Sequence, residues 1–271
     1  ASTAWFAFIS NTHFTGMGST TGGQANANNF TVSLSYAGND VVFTRDGNTG
    51  TCRVDWQILQ YVGPVGGVNE IQVRDKASFG HSTDIVNRAL PGSVIDTSKV
   101  VPWITGQRDN TGSRDTVNRA LHTAIISGGS IQFRRGNPGG TATVSYAVVE
   151  LTGSAWAVDS YEFSSASQNY SVAITSIGDL AEAFLQCHFR YETTSNAGLD
   201  DCSVRVHLEA VDSLRVTATT GVDANLKTHV VWVLSNPTIS VGRVLGEMAG
   251  VGNEEVDDVA VPQVAQLDEA F

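Results

Sequence analysis

The sequence predicts an all-β protein made of tandem antiparallel β-sandwich units, immunoglobulin-like or jelly-roll-like, with few or short helices. The first observation is an internal repeat, because residues 38–63 align with residues 128–153 at a constant offset of 90 without a gap. The second is a period of two in the apolar residues, which is typical of strands. The third is a polar, Gly-rich turn at the same place in each copy, which predicts β-hairpins.

The repeat is carried by identical residues and by like-for-like changes. Trp56 corresponds to Tyr146, and Ile58 corresponds to Val148. A third and looser copy follows 83 residues further on, where residues 229–234 match residues 146–151. A repeat of this length usually reflects one supersecondary unit used several times. The packing motif comprises Phe43, Arg45, Val54 and Trp56 in the first copy and Phe133, Arg135, Val144 and Tyr146 in the second.

Each hairpin is predicted to be the end of a longer unit that begins with a strand, a polar loop and another strand. These strand pairs are predicted at residues 5–9 and 30–36, 100–105 and 116–126, and 183–191 and 202–210. Additional strands are predicted at residues 70–73, 94–95 and 171–174, and one short helix at residues 177–185 with Ser176 as its N-cap. The chain therefore divides into β units at residues 1–63, 64–153 and 154–236, followed by an acidic arm at residues 237–271.

The second strand of the hairpin is apolar on both faces. Val54, Trp56 and Ile58 lie on one face in the first copy, and Leu59 and Tyr61 lie on the other. A strand that is apolar on both faces is expected to be covered on both. We expect the cover to come either from another sheet of the same chain or from another subunit.

Composition and charge exclude several classes of protein. Hydrophobic residues make up 41% and charged residues 16%, which fits a folded protein and not a disordered one. The net charge of −11 disfavours nucleic acid as a partner. No apolar run approaches the about 18 residues of a membrane span, so no membrane partner is expected. The first residues show no signal peptide, and we expect synthesis in a cytoplasm.

The sequence contains no recognisable catalytic or metal-binding motif. Nucleophile elbows, metalloprotease helices, phosphate loops and dinucleotide-binding glycines are all missing. We therefore predict no enzyme activity, no cofactor and no catalytic or metal-binding residue. Cys187 and Cys202 flank a predicted hairpin with His188 and His207 nearby, but buried thiols and sheet histidines are commoner than metal ligands. A disulfide between the two cysteines and calcium binding at residues 196–201 both stay open.

The last part of the chain differs in character from the rest. Acidic residues cluster at positions 254–258, and Pro262 interrupts the apolar stretch that follows. One interpretation is a frayed acidic tail. The other is an arm that becomes ordered on a neighbouring subunit, anchored by Val259, Val261, Val264, Leu267 and Phe271.

The hairpin sequences resemble a β-repeat of structural proteins in tailed bacteriophage particles. The resemblance lies in residues 41–45 and 52–61, with a "TFxR…GxxxVxWQVVEF"-like pattern, and again in residues 131–135 and 144–151. Residues 94–101 look like the linker strand of that family. The likeness is good over residues 30–153 and weak over residues 154–236. It transfers no catalytic residue.

The resemblance implies a virion component made in the host cytoplasm. The expected function is structural, with non-covalent assembly on the head, collar or neck, or tail surface, as a decoration or coat protein. The expected partners are copies of itself, as a homo-oligomer, and other virion proteins, with contacts through the acidic arm at residues 254–271 and the polar loop at residues 11–29. The alternative is a tail-fibre or adhesin-type protein that binds a receptor or glycan through loops such as residues 11–29. A β-sandwich hydrolase is a third and weaker hypothesis.

Overall fold

The computed structural model describes residues 5–15, 31–47, 51–110, 117–164, 169–191, 204–218 and 227–239. These residues confirm the predicted all-β class with tandem sandwich-like units. They form sixteen strands, one four-residue helix, α1 (Val117–Ala120), and two 3₁₀ turns, Thr97–Lys99 and Leu180–Glu182. Every strand pairing is antiparallel.

The strands fall into three groups in chain order, which we call the first, second and third units. The first unit contains β1 (Trp5–Thr15), β2 (Ser33–Ala37), β3 (Asp40–Thr44) and β4 (Thr51–Gln60). The second contains β5 (Gln72–His81), β6 (Ile85–Ala89), β7 (Val100–Asp109), β8 (Thr123–Ser127), β9 (Ser130–Arg134) and β10 (Ala142–Glu150). The third contains β11 (Ala157–Ser164), β12 (Asn169–Ala173), β13 (Ala183–Tyr191), β14 (Val204–Ala210), β15 (Ser213–Ala218) and β16 (Lys227–Ser235).

The second and third units have the same topology. If the six strand positions of a unit are lettered A to F in chain order, each unit has one sheet of order A-F-C and one of order B-E-D. In the second unit these are β5-β10-β7 and β6-β9-β8, and in the third they are β11-β16-β13 and β12-β15-β14. An apolar core lies between the two sheets of each unit.

The first unit contains only four of the six strand positions. Its sheets are β1-β4 and β2-β3. The repeat equates β3 with β9 and β4 with β10, so the four strands correspond to positions C, D, E and F. Among the described residues, positions A and B of the first unit are empty.

A third apolar core joins the units to one another. Leu59, Val149 and Trp232 occupy equivalent positions in β4, β10 and β16, and all three belong to this core together with Phe6 and Trp103. The F strands β10 and β16 thus bury one face against their own unit and the other against neighbouring units. The expected cover on both faces is present for β10, whose nine residues are all buried.

The segments that leave the three F strands also meet. Gly153 N donates a hydrogen bond to Glu70 O at 3.0 Å, which joins the segment after β10 to the segment after β4. Asn236, just after β16, donates from Nδ2 to Asn69 Oδ1 at 2.9 Å. The exits from all three units therefore lie side by side.

The predicted hairpin is wrong, because the two strands that its turn joins lie in different sheets. β3 pairs with β2 and β4 with β1, and β9 pairs with β6 and β8 whereas β10 pairs with β5 and β7. The predicted loop at residues 11–29 starts later, since β1 continues to Thr15.

Other predicted elements also differ from the structure. The predicted helix at residues 177–185 is wrong, because Asp179 caps only the 3₁₀ turn Leu180–Glu182 and β13 starts at Ala183, where pairing with β16 takes over. Residues 94–95 form no strand, since the Ile95 amide donates to the buried Glu150 carboxylate at 3.0 Å. The strand predicted at residues 116–126 is confined to β8, after helix α1.

Candidate assembly site in the first unit

An apolar groove opens between the β1-β4 sheet and the β2-β3 hairpin of the first unit. Its apolar wall consists of Val41, Phe43, Trp56 and Ile58, and Trp5 lines it as well. Period-two alternation places these side chains on the inner faces of β3 and β4. The groove is therefore the interior of a sandwich for which the described residues supply no outer strands.

The second unit shows what normally covers this interior. Ile131, Phe133, Tyr146 and Val148 are the equivalents of the four wall residues, and all are buried. Phe79 on β5, at position A, covers them, with its ring centroid 5.3 Å from that of Phe133 and 5.9 Å from that of Tyr146. In the first unit, 46% of Trp56 and 53% of Ile58 are exposed.

The edges of the groove also carry unpaired backbone. β10 pairs with β5 on one side and with β7 on the other. Within the described part of the chain, β4 pairs only with β1, and β3 pairs only with β2. An edge strand presents a row of free N–H and C=O groups, which is a template for an added strand.

A positive charge lies beside Trp5, a residue of the groove. The Lys76 Nζ is 3.7 Å from the ring centroid of Trp5 and 4.2 Å from that of Tyr36. Burial lowers the pKa of Lys76, and no carboxylate among the described residues forms an ion pair with it. The arrangement favours an acidic group at this end of the groove.

Comparison with protein-family models, curated proteins and solved structures found no match to the chain. No helix that the structure describes is long and apolar enough to cross a membrane.

The structure brings the second-copy residues of the packing motif together in a core and leaves the first-copy residues less buried. Phe133, Val144 and Tyr146 lie in the core of the second unit. Arg135 is buried and donates to three backbone carbonyls, those of Thr83, Arg119 and Gly140, at 2.9, 3.1 and 2.6 Å. Burial lowers the pKa of Arg135. Its equivalent Arg45 is half-buried, as are Phe43 and Val54.

Several predicted site residues lie outside the described part of the chain. These are the arm anchors Val259, Val261, Val264, Leu267 and Phe271, together with Cys202 and residues 196–201. Burial raises the pKa of the Cys187 thiol to about 12. The described residues contain no group of three or more His, Cys, Asp and Glu side chains that could hold a metal ion.

Sequence analysis missed a histidine pair in the second unit. The Nε2 atoms of His81 and His122 are 2.8 Å apart, and the His122 Nδ1 is 2.5 Å from Ala120 O. Burial is the main cause that lowers the pKa of His81 to about 4 and the pKa of His122 well below its usual value. The His81 Nδ1 also lies 3.0 Å from Thr83 O. Because a neutral imidazole carries one N–H group, two neutral rings cannot make hydrogen bonds at all three of these contacts. The two residues are far apart in sequence, and no spacing pattern indicates that they are in contact.

Proposed function

We propose that the protein is a structural component of a tailed-bacteriophage particle. It assembles non-covalently on the head, collar or neck, or tail surface, with copies of itself and with other virion proteins. The observation that carries the proposal is the open groove of the first unit, in a chain whose other two units are closed sandwiches. Exposed apolar surface combined with unpaired strand edges is typical of an interaction surface.

The side chains of the repeat support a packing role over a chemical one. The aromatic and β-branched residues of β9 and β10 fill the core of the second unit. The guanidinium of Arg135 donates from all three of its nitrogen atoms to the backbone carbonyls of Thr83, Arg119 and Gly140. A charged group whose donors are directed at the protein's own backbone is not available to a substrate.

The size of the surface sets a requirement for assembly. Stable protein interfaces bury about 1,600 Å² in total, and obligate ones bury more than about 2,000 Å². A groove lined by a few residues is smaller than this. Assembly therefore needs an extended partner segment or additional surface around the groove.

Immunogold electron microscopy of purified tailed particles tests the location. Antibodies raised against the full chain are expected to label intact particles at the head, neck or tail. Label found only on free protein in the lysate would contradict the proposal.

A second experiment separates the structural role from receptor binding. The full chain is expected to form discrete oligomers in sedimentation velocity and electron microscopy, and to bind no glycan on an array. A protein that stays monomeric and binds a glycan saturably would support the tail-fibre or adhesin alternative. Deletion of residues 253–271 is expected to leave the circular dichroism spectrum unchanged and to abolish oligomers.

A further inference from the structure

We propose that the open first unit of one copy accepts residues 240–271 of a second copy, which fill strand positions A and B. This inference rests on the proposed self-assembly and names the two surfaces involved. One surface is the groove lined by Val41, Phe43, Trp56 and Ile58. The other is the chain that follows the third unit.

The position of the segment in the chain is the first argument. Position A is always filled by the residues that follow the F strand of the preceding unit. β5 follows β4 after residues 61–71, and β11 follows β10 after residues 151–156. Residues 236–271 follow β16, the F strand of the third unit. In chain order, residues 236–271 therefore correspond to strands A and B of a further unit.

The local structure at the exit is the second argument. After β10, the Trp156 amide donates to Gly153 O at 3.3 Å, and after β16 the Ile239 amide donates to Asn236 O at 3.2 Å. Trp156 belongs to the core shared by the units, and Ile239 packs against it. The chain thus leaves β16 by the same turn that leads from β10 to β11.

The sequence continues this likeness. Ile71, Trp156 and Ile239 each come two residues before a valine, at positions 73, 158 and 241. In the second and third units that valine lies in strand A, and it packs against the shared core. The residues after Ile239 therefore begin with the pattern of a strand A.

The segment after Ile239 is long enough to form strands A and B. Strands A and B span residues 72–89 in the second unit and residues 157–173 in the third. These stretches are 18 and 17 residues long, whereas 32 residues follow Ile239. The surplus allows for a loop, and the acidic residues at positions 254–258 complement the charge of Lys76 beside the groove.

The packing between units favours a second copy as the partner. Position D of the first and of the second unit packs on the next unit along the chain. Val32, just before β2, accepts from the Gln107 amide of β7 at 2.9 Å, and Thr123 of β8 accepts from Arg190 of β13 at 2.6 Å. Among the described residues, β14 makes no comparable contact with β1 or β4 of its own chain. The end of one copy and the start of another are therefore complementary, and a head-to-tail contact of this kind generates rings or filaments.

Two full-length variants test the proposal by complementation. The groove variant carries Trp56→Asp and Ile58→Asp, and the tail variant carries Val259→Asp and Val261→Asp. Each is expected to be monomeric alone in sedimentation velocity, under conditions in which the wild type forms larger oligomers. A mixture is expected to form dimers only, because the tail of the groove variant enters the groove of the tail variant and neither free end can propagate.

The control for the added charges is a substitution outside the groove. Val42→Asp places the same charge on the outward face of β3, where Val42 is exposed, and is expected to assemble like the wild type. Circular dichroism verifies the fold of every variant, and deletion of residues 253–271 repeats the tail test without new charges. A shift of less than about tenfold in the concentration for assembly in either variant overturns the inference. So does a mixture that stays monomeric, or a wild type that is monomeric throughout.

Failure of this inference differs from failure of the proposed function. If the wild type assembles and labels particles but both variants assemble equally well, the structural role stands and the strand exchange is wrong. If the variants complement each other but no particle is labelled, the exchange stands and the virion location is wrong.

Discussion

Trp56 in β4 and Tyr146 in β10 occupy equivalent positions of one repeated strand, yet 46% of Trp56 and only 5% of Tyr146 is exposed. The difference arises from strand position A. Phe79 of β5 lies against Tyr146, whereas the described residues supply no strand at that position over Trp56. The aromatic side chain at this position is thus covered by the chain itself in the second unit, whereas no described strand covers it in the first.

This relationship predicts unequal effects of truncation. Tyr146→Ala is expected to lower the free energy of unfolding by about 3–5 kcal/mol, because it leaves a cavity in a closed core. Trp56→Ala is expected to lower it by about 1 kcal/mol in the monomer, because much of the ring is already in water. Urea unfolding followed by far-ultraviolet circular dichroism measures both. Equal losses would show that the groove is closed in solution.

The buried carboxylate of Glu150 predicts a second difference. It accepts from the amides of Ile95 and Asp96 at 3.0 and 2.7 Å and from the Arg74 guanidinium at 2.5 Å. Glu150→Gln is expected to lower the free energy of unfolding by about 3 kcal/mol, because Arg74 loses its buried counter-ion. The control is Glu209→Gln, since Glu209 pairs with Arg215 at 3.9 Å on the surface and should change stability by less than about 1 kcal/mol. A similar small effect for both variants would contradict the expectation.

Gly153 predicts a steric effect at the junction between units. A Cβ at this position would overlap Val68 O and Glu70 N of the adjoining segment. Gly153→Ala is expected to lower the free energy of unfolding by about 1–3 kcal/mol through overpacking. Gly92→Ala is the matched control, because nothing lies within 4 Å of a Cβ there. Thermal unfolding of the two variants measures the difference. Equal melting temperatures would show that a methyl group at position 153 causes no overpacking.

The histidine pair predicts a dependence of stability on pH. The pKa values of His81 and His122 are lowered in the folded state, below the unfolded value of about 6.5. The unfolded chain therefore binds more protons as the pH falls from 7 to 5.5, and the free energy of unfolding decreases over that window by up to about 1.4 kcal/mol per pH unit for each proton. The double variant His81→Gln with His122→Gln is expected to show a shallower slope in urea titrations. An unchanged slope would mean that the pair is not the cause.

The sequence predicts local structure well where alternation and turn chemistry agree. The strands β3, β4 and β13 follow from period-two patterns. The Gly-rich segment between β3 and β4, predicted as a turn, joins two different sheets and not two paired strands. Residues 94–95 and 177–185 deviate because tertiary contacts decide them. The carboxylate of Glu150 holds the first segment away from a strand, and the pairing of β13 with β16 ends the second after one 3₁₀ turn.

The candidate site was only partly predictable. The sequence places Trp56 and Ile58 on one apolar face and indicates that something must cover them. It does not indicate which unit lacks its cover, because strands A and B match each other poorly between copies. The meeting of His81 with His122 depends on register across two sheets, which no local pattern contains.

The core that contains Phe6, Trp103 and Trp232 has a mechanical consequence. Residues from near both ends of the described chain anchor in the same interior, and Asn236 is hydrogen-bonded to Asn69. A stretching force applied across the chain would therefore load all three units at the same time and not one unit after another. Such a molecule is expected to unfold in one event in a single-molecule stretching experiment.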